Sequence, residues 1–493
     1  MKLLDICQRS NINCPHDLEK IEIKGITSSS KKVGEGYLFV CLEGVNDDGH
    51  RYVDDALACG ASAVVIQNEK YLCDHSILVK DTRAALANMM NVFCGEPTKE
   101  LSFIGITGTN GKTSVSVMIK NIFDTLHIPC EVIGTLNCSS FSENHDDSQT
   151  NFTTPDPEEL YPMLRRILDG GVRYVVMETS SHALKLKKLD PITFKVGIFT
   201  NLTEDHLDFH HSMDDYFASK LRLFDRCELG IINIDDEYGR RVAALAPCKI
   251  KTCSTERNAD YLVEDISDLC EKGTAYTLKG RGNELRLWCK SPGKFSIMNS
   301  MQASACALEL DIDKKDIIRS FECFNGVKGR LEAVALSEGR DFAAYIDYAH
   351  TPDALQKLLD TANSIKGNNG RVILLFGCGG NRETQKRKIM GEIATENADV
   401  VIITSDNPRS EDPMKIIDDI LLGTVGKNNY TVIPNRKRAI EYALATAKRG
   451  DIVLFAGKGH ENYEINASGR APFDEREIIR GYFEKITKRR NEL

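Results

Sequence analysis

The residues best suited to chemistry lie in 104–113, IGITGTNGKT. Gly108 and Gly111 can take positive φ without steric cost, so the N–H groups of Gly108, Thr109, Asn110 and Gly111 can point into one cavity. Lys112 would carry a positive charge to terminal phosphates, and the Thr113 hydroxyl would hold Mg²⁺. The generic phosphate-loop pattern asks for a glycine five residues before Gly111, and that position is Ile106. A strand before the loop and a helix after it would meet the motif's structural condition. A chance GKT in an ordinary strand–turn–helix is the alternative.

Two more chemical clusters follow apolar runs. METSSH (177–182) presents Glu178, and TNLTEDHLDFH (200–210) presents His206. Open parallel sheets bind ligands beyond the carboxyl ends of their strands, so both side chains are expected in the crevice of Lys112. His206 and His210, four residues apart, also admit a zinc reading. The HExxH form is absent and no cysteine adjoins them, so Mg²⁺ on hard oxygen donors suits the set better. Thr153 and Thr154, in FTTPDP (152–157), could meet phosphate or Mg²⁺. Local pattern favours capping of a helix that starts near Glu158. Lys220, in DDYFASKLRLF (214–224), reads locally as a solvated helix lysine.

A further set lies toward the C-terminus. One run delivers Asp347 and His350 in IDYAHTPDAL. Three others end in GCGGNR, SDNPR and AGKGHE. Arg382 and Arg409 can each grip a carboxylate through a planar fork, and Glu461 can take an ammonium. Together they would complement an amino acid with a carboxylate at each end and an amine. Singly, each reads as a surface ion-pair residue.

The elements that must position these groups follow from hydrophobic periodicity. Residues 101–106, 174–177, 196–199 and 231–233 read as buried β-branched strands separated by helices, which implies a parallel sheet covered on both faces. Residues 37–42, 63–67 and 77–79 read as strands of a smaller first unit, with helices over 54–59 and 84–93. The polar cluster ITSSSKK (26–32) is either a polar turn or an anion site. The reading is α/β with three domains: 1–95, 96–327 and 328–493, with a linker at 94–99.

Composition narrows the class. The 493 residues are 42% hydrophobic and 27% charged, as expected of a soluble globular protein. A net charge of −9 leaves no basic footprint for nucleic acid. No signal peptide or membrane span is expected, and the 16 scattered cysteines, without a CxxC pair, read as reduced thiols of a cytoplasmic protein.

TGTNGKT, TTPDP, METSSHAL, FTNLTEDHLDFH, GRLE, DYAHTPDAL, FGCGGNR, SDNPR and AGKGHE occur in the order seen in Mur ligases, and the resemblance spans nearly the whole chain. It implies a uridine-nucleotide domain, a central ATPase and a Rossmann-like C-terminal domain. It also implies an ATP- and Mg²⁺-dependent ligase that forms an amide through an acyl phosphate, in peptidoglycan precursor synthesis. Residue by residue, the likeness puts Lys112 on phosphates, Thr113 and Glu178 on one Mg²⁺ and His206 near a second. Lys220 matches a lysine that reacts with CO₂ to become a carbamate ligand. Asn299, Arg330 and Asp347 match positions that hold the ATP base and ribose-phosphate. Ser28, Ser30, Thr153, Thr154 and Ser180 match the side facing UDP-N-acetylmuramoyl-L-alanyl-D-glutamate, and Lys188, which stands where some relatives carry arginine, could still meet a phosphate or carboxylate there without a planar fork. Arg382, Asp406, Asn407, Pro408, Arg409, Gly457 and Glu461 match the pocket for the added amino acid.

The DNPR form resembles the type that adds meso-diaminopimelate, whose distal carboxylate Arg409 could pair; lysine there offers only an ammonium. A monomer is expected. The chain departs from the family pattern at Ser29 and Lys31, at Leu186 and Lys188, and at Ser296. The alternatives are a lysine-adding ligase, a folylpoly-γ-glutamate synthase, a phosphotransferase and a nucleotide-gated binding protein without bond-forming chemistry. The second leaves the first ninety residues without a job, and the last leaves the C-terminal crevice unexplained.

Overall fold

The structure is a computed structural model that describes residues 1–44, 47–136, 153–270, 273–335, 341–367 and 369–491. Phe152, at the head of the FTTPDP motif, lies outside them. Three α/β sheets follow one another along the chain.

The first is small and wholly parallel: β1 (Gly25–Thr27), β2 (Tyr37–Val40), β3 (Ala61–Ile66) and β4 (Ser76–Leu78), in that spatial order. β2 to β4 fall on the three runs read from sequence. β1 falls inside the ITSSSKK cluster, and all three of its residues are buried. Three residues are too short for a periodic signal, so the polar residues behind them dominate the local reading.

The central sheet has nine strands, ordered β13-β12-β11-β10-β9-β8-β5-β7-β6. Its heart is β5 (Ser102–Thr107), flanked by β7 (Tyr174–Glu178) and β8 (Phe194–Phe199). β6 (Cys130–Ile133), β9 (Cys227–Asn233) and β10 (Lys249–Ser254) extend it in parallel, as does β11 (Tyr261–Cys270). β12 (Gly273–Gly280) and β13 (Asn283–Cys289) then close one edge antiparallel. Helix Lys112–Thr125 lays Val115, Met118, Ile119 and Ile122 against one face, beside helix Lys294–Glu309. Helix Pro157–Asp169 covers the other face and also packs on helix Thr82–Phe93, so the first two domains share a core. Each buried aliphatic side chain there contributes about 1.5–3 kcal/mol, which fixes the sheet firmly enough to aim its loops.

The third sheet is ordered β14-β15-β19-β16-β17-β18. It comprises β14 (Glu332–Ala333), β15 (Ala343–Asp347), β16 (Val372–Phe376), β17 (Val400–Ile403), β18 (Tyr430–Val432) and β19 (Ile452–Ala456). All pairs are parallel except β14 with β15. A hairpin of β20 (Tyr463–Asn466) and β21 (Gly469–Pro472) follows. Among the described residues, no helix is long and apolar enough to cross a membrane.

Candidate active site

The phosphate loop leaves β5 and enters helix Lys112–Thr125, whose N-cap is Gly111. Two glycines are required sterically. A Cβ on Gly108 would stand 1.9 Å from Thr200 Oγ1, and one on Gly111 would stand 2.6 Å from Asn299 Oδ1 at φ +90°. Thr109 Oγ1 donates to Thr203 O at 3.1 Å, and the Asn110 N–H donates to Asn201 Oδ1 at 3.0 Å, so the β8 loop braces the turn. Lys112 Nζ donates to Gly108 O and Thr109 O, both at 2.9 Å, which holds the ammonium over the loop.

Glu178 closes β7 next to β5 and is buried. Its carboxylate accepts from Thr113 Oγ1 at 3.1 Å, from Thr135 Oγ1 at 3.0 Å and from the Thr135 N–H at 2.9 Å. A hydroxyl and a carboxylate so close fit Mg²⁺, which takes one or two protein oxygens plus phosphate oxygens and water. Arg330 Nη2 also reaches Thr113 Oγ1 at 3.2 Å, while its Nε is buried without a hydrogen-bond partner. An orphaned guanidinium N–H beside a phosphate loop fits an anionic ligand.

His206 stands at the mouth of the cleft in the left-handed region, φ +55°. Desolvation lowers its proton affinity, with Lys112 and Lys220 adding and Asp205 opposing. His210 turns away from His206. It is fully buried, its Nε2 pairs with Ser181 Oγ at 2.8 Å, and its ring stacks on Tyr216. Among the described residues no group of three His, Cys, Asp or Glu is placed to hold a metal, so the zinc reading has no structural support.

Lys220 overturns its local pattern. It is 1% exposed; its Nζ donates to Gly108 O at 2.8 Å and lies 4.6 Å from the Tyr216 ring centroid. Burial, then repulsion from Lys112, pushes its pKa well below the ordinary lysine value. A buried amine biased toward its neutral form is a nucleophile rather than a solvated cation.

Thr154 departs from the capping expectation. Its hydroxyl donates to Glu178 O at 2.8 Å and lies 3.2 Å from Ser180 Oγ, whereas Asp156 occupies the N-cap of helix Pro157–Asp169. Thr153 lies 3.5 Å from Thr135 Oγ1 and lines the cleft. Ser180 caps the following helix through the Ala183 N–H at 3.2 Å, and Lys188 Nζ meets Asp156 at 2.6 Å. In the first domain, Ser28 gives its N–H and hydroxyl to Glu158 Oε1 at 2.5 and 2.6 Å. Ser30 opens the short turn Ser30–Lys32. None of Ser28, Ser30, Thr154, Ser180 or Lys188 lines the main cavity.

That cavity, about 300 Å³, joins two domains. Thr109, Asn110, Gly111, Lys112, Thr113, Glu178 and His206 line one wall. Arg382, Asp406, Asn407, Arg409, Gly457 and Glu461 line the other, and Arg330 also borders it. Pro408 is buried behind it. A smaller cavity of about 90 Å³ adjoins it through Asn110, Gly111 and Arg330, and holds Asn299, Asp347 and Phe295. Asp347 accepts the N–H groups of Leu331 at 2.6 Å and Ala349 at 2.7 Å, and burial raises its pKa. Lys220 touches the loop from behind rather than lining either cavity.

The C-terminal wall is electrically mixed. Arg409 sits at φ +54°, fixed by its N–H to Ile465 O at 3.0 Å and by Nη1 to Gly380 O at 3.0 Å. Its bonds are to carbonyls, so its fork keeps its charge free for a carboxylate. Desolvation, then Arg382, lowers its pKa, and neighbouring cations of this kind favour an anion between them. Asn407 is held at both ends of its amide: Nδ2 donates to Glu461 at 2.8 Å, while Oδ1 accepts from Lys458 at 3.0 Å and the Ile465 N–H at 2.9 Å. Burial and the Asp406 charge raise the pKa of Glu461. A Cβ on Gly457 would stand 2.4 Å from Asp406 Oδ2.

Sequence reasoning missed Asp205, Asp208, Tyr348, Glu383 and Lys386, which also line the cavity. Asp205 and Asp208 stand inside TNLTEDHLDFH, and Glu383 and Lys386 just after GCGGNR, so the strand-end rule that found their neighbours could have found them.

Comparison with known proteins agrees with this geometry. Models of the Mur ligase family match three segments: the catalytic domain at 22–94, the middle domain at 106–307 and the glutamate ligase domain at 329–459. The UDP-N-acetylmuramoyl-L-alanyl-D-glutamate–2,6-diaminopimelate ligase of Clostridium tetani is 37% identical over 99% of this chain and all of its own. The protein of that name from Clostridium botulinum is 40% identical over 95% of this chain and 96% of its own. A solved structure of a ligase with that name superposes with a TM-score of 0.71 at 29% identity, covering 99% of this chain and 100% of that one. A MurF ligase from Thermotoga maritima in complex with ADP has a TM-score of 0.60 at 16% identity, covering 95% of this chain and 99% of its own, and shows the shared fold. The chain belongs to the Mur ligase family.

Proposed function

We propose that this protein adds meso-2,6-diaminopimelate to UDP-N-acetylmuramoyl-L-alanyl-D-glutamate at the expense of ATP, a step of peptidoglycan precursor synthesis. The observation that carries this reading is the single cavity lined on one side by Lys112 and Glu178 and on the other by Arg409 and Glu461. An activated carboxyl and an incoming amine must meet, and this cavity gives them a common space.

The smaller cavity would take the nucleoside, with Asn299 and Asp347 on the base and ribose and Arg330 on phosphate. The backbone from Gly108 to Thr113 and the Lys112 ammonium would hold the β- and γ-phosphates in line with the D-glutamyl γ-carboxylate. That carboxylate attacks the γ-phosphorus, ADP leaves, and the acyl phosphate has a leaving group that a free carboxylate lacks. Mg²⁺, one ion held by Thr113 and Glu178 and a second near His206, would neutralise charge on the phosphoryl oxygens.

Lys220 would supply a further anionic ligand. Its neutral nitrogen bonds to the carbon of CO₂ and loses a proton, which converts a buried cation into a carbamate. On the opposite wall, Arg409 and Arg382 would hold carboxylates of diaminopimelate, with Glu461 and Asp406 on an ammonium. The free amine attacks the acyl carbon, and phosphate departs from the tetrahedral intermediate. Ser28, Ser30, Thr153, Thr154, Ser180 and Lys188 would face the UDP-sugar peptide. The free state of every cysteine among the described side chains accords with a reducing, cytoplasmic setting.

The test is ADP release measured with the UDP-muramyl dipeptide and, in parallel, diaminopimelate, lysine or ornithine. Release that needs both the dipeptide and diaminopimelate supports the proposal. Preference for lysine supports the lysine-adding alternative, and equal release without either substrate supports a bare ATPase.

A further inference from the structure

The two arginine-bearing loops of the C-terminal wall are fastened to each other outside the cavity. Arg387, in helix Gln385–Asn397, is fully buried. Its Nη1 and Nη2 grip Glu411 at 3.0 Å each, Nη1 reaches Asp419 at 2.9 Å, and Nη2 reaches Gly379 O at 3.3 Å. Glu411 also accepts the N–H of Asn381, the residue before Arg382. It lies two residues after Arg409, and its own N–H donates to Pro408 O at 3.0 Å. A second tie runs alongside: Asn381 Oδ1 accepts from the N–H and hydroxyl of Ser410 at 3.1 and 2.9 Å.

Stability alone explains this poorly. Burying a guanidinium costs several kcal/mol, and Arg387 Nε is left without an acceptor. Asn381 and Arg409 both sit in the left-handed region, at φ +52° and +54°. Strained backbone of this kind persists only where the surroundings over-determine it. The carboxylate of Glu411 is the point at which the two strained turns meet.

We propose that Glu411, clamped by Arg387, is a positioning residue that fixes the separation of Arg382 and Arg409 and so selects the length and distal carboxylate of the added amino acid. The inference rests on the proposed ligase reading. Glu411 lines neither of the two cavities described above and has no bond to the phosphate loop, so its effect is confined to the amino-acid substrate. Asp419 shares the guanidinium of Arg387 but sits on helix Pro413–Leu421, away from both turns. Its loss removes a charge partner without freeing the clamp.

The experiment compares Glu411→Gln with Asp419→Asn in the full-length protein, reading ligation kinetics and thermal melting. Glu411→Gln is expected to raise KM for diaminopimelate at least about tenfold, the scale of a sub-ångström misplacement, with KM for ATP unchanged. It also narrows the preference for diaminopimelate over lysine. Asp419→Asn lowers the melting temperature to a similar degree, because it too removes a partner of the buried Arg387, but leaves KM for diaminopimelate within about twofold, because Asp419 holds neither turn. Equal effects of the two variants on KM for diaminopimelate, or none from either, overturn the positioning role. If the unsubstituted protein fails to ligate diaminopimelate, the ligase reading itself is lost, and the two failures are told apart by that control.

Discussion

Asn110 Nδ2 donates to Asp353 Oδ2 at 2.9 Å, and this bond joins the phosphate loop to the first turn of the C-terminal helix Pro352–Ile365. Lys357 and Thr203 reach the same oxygen at 2.8 and 3.4 Å. The phosphate loop and the C-terminal domain are therefore mechanically coupled at one carboxylate. Hydrogen bonds to charged groups contribute about 1.5–3 kcal/mol. Asp353→Ala should lower kcat/KM for ATP roughly tenfold or more, with kcat falling and KM rising as in a closure defect. Steady-state ATP kinetics check this; an unchanged ratio removes the coupling.

In the proposed reaction Arg409 would offer its fork to a carboxylate of the added amino acid. Truncating one member of a desolvated charge pair costs ~2–5 kcal/mol, or about 30-fold or more. Arg409→Ala should raise KM for diaminopimelate by that factor while ATP binding, followed by calorimetry, stays as it was.

Lys220→Ala should abolish ligation, and a short carboxylic acid should restore part of it by standing in for the carbamate. A labelled-bicarbonate experiment gives a second readout. A carbamate carbon resonance should appear in the parent protein and vanish in the variant. Full activity without added acid would contradict the assignment.

Four histidines are held neutral by the fold. Burial pushes His182, His210 and His350 down to about 4 and His460 to about 3. For His210, from its ordinary 6.5 down to about 4, the unfolded chain binds a proton that the folded one does not. Stability therefore falls as pH falls through that window, and the loss is complete below about pH 4. Its ceiling is on the order of 3 kcal/mol for this residue, at about 1.4 kcal/mol per pH unit. Denaturant titrations across pH 7 to 4 should show the slope, and His210→Gln should flatten it.

A glycine test separates binding from folding. Gly111→Ala places a methyl against Asn299 Oδ1 at a backbone angle that L residues avoid. Nucleotide affinity should fall roughly 5- to 30-fold, on the ~1–2 kcal/mol cost of left-handed backbone alone. Circular dichroism should remain that of the parent, because the strained residue sits in a loop rather than the core.

Much of the fold was legible in local pattern. The β-branched runs ending in METSSH and TNLTEDHLDFH became β7 and β8 on either side of β5, because a strand buried on both faces must be apolar along its whole length. β10 to β13 were not read; at that edge, alternation is broken by register shifts between β11 and β12 and by exposed polar positions. Thr154 looked like a cap and instead bonds to Glu178 O across to another strand. Local sequence does not encode that choice.

By itself the sequence determined which groups stand at strand ends: the GKT turn, Glu178, His206, Arg409 and Glu461, each fixed by a backbone that alternation and glycine already dictate. Tertiary structure decided three things. It made the two crevices one cavity, it buried Lys220 beneath the phosphate loop, and it tied Arg382 to Arg409 through Glu411. Each depends on segments distant in the chain removing water from a group, and desolvation is a property of the packed whole rather than of any neighbouring residues.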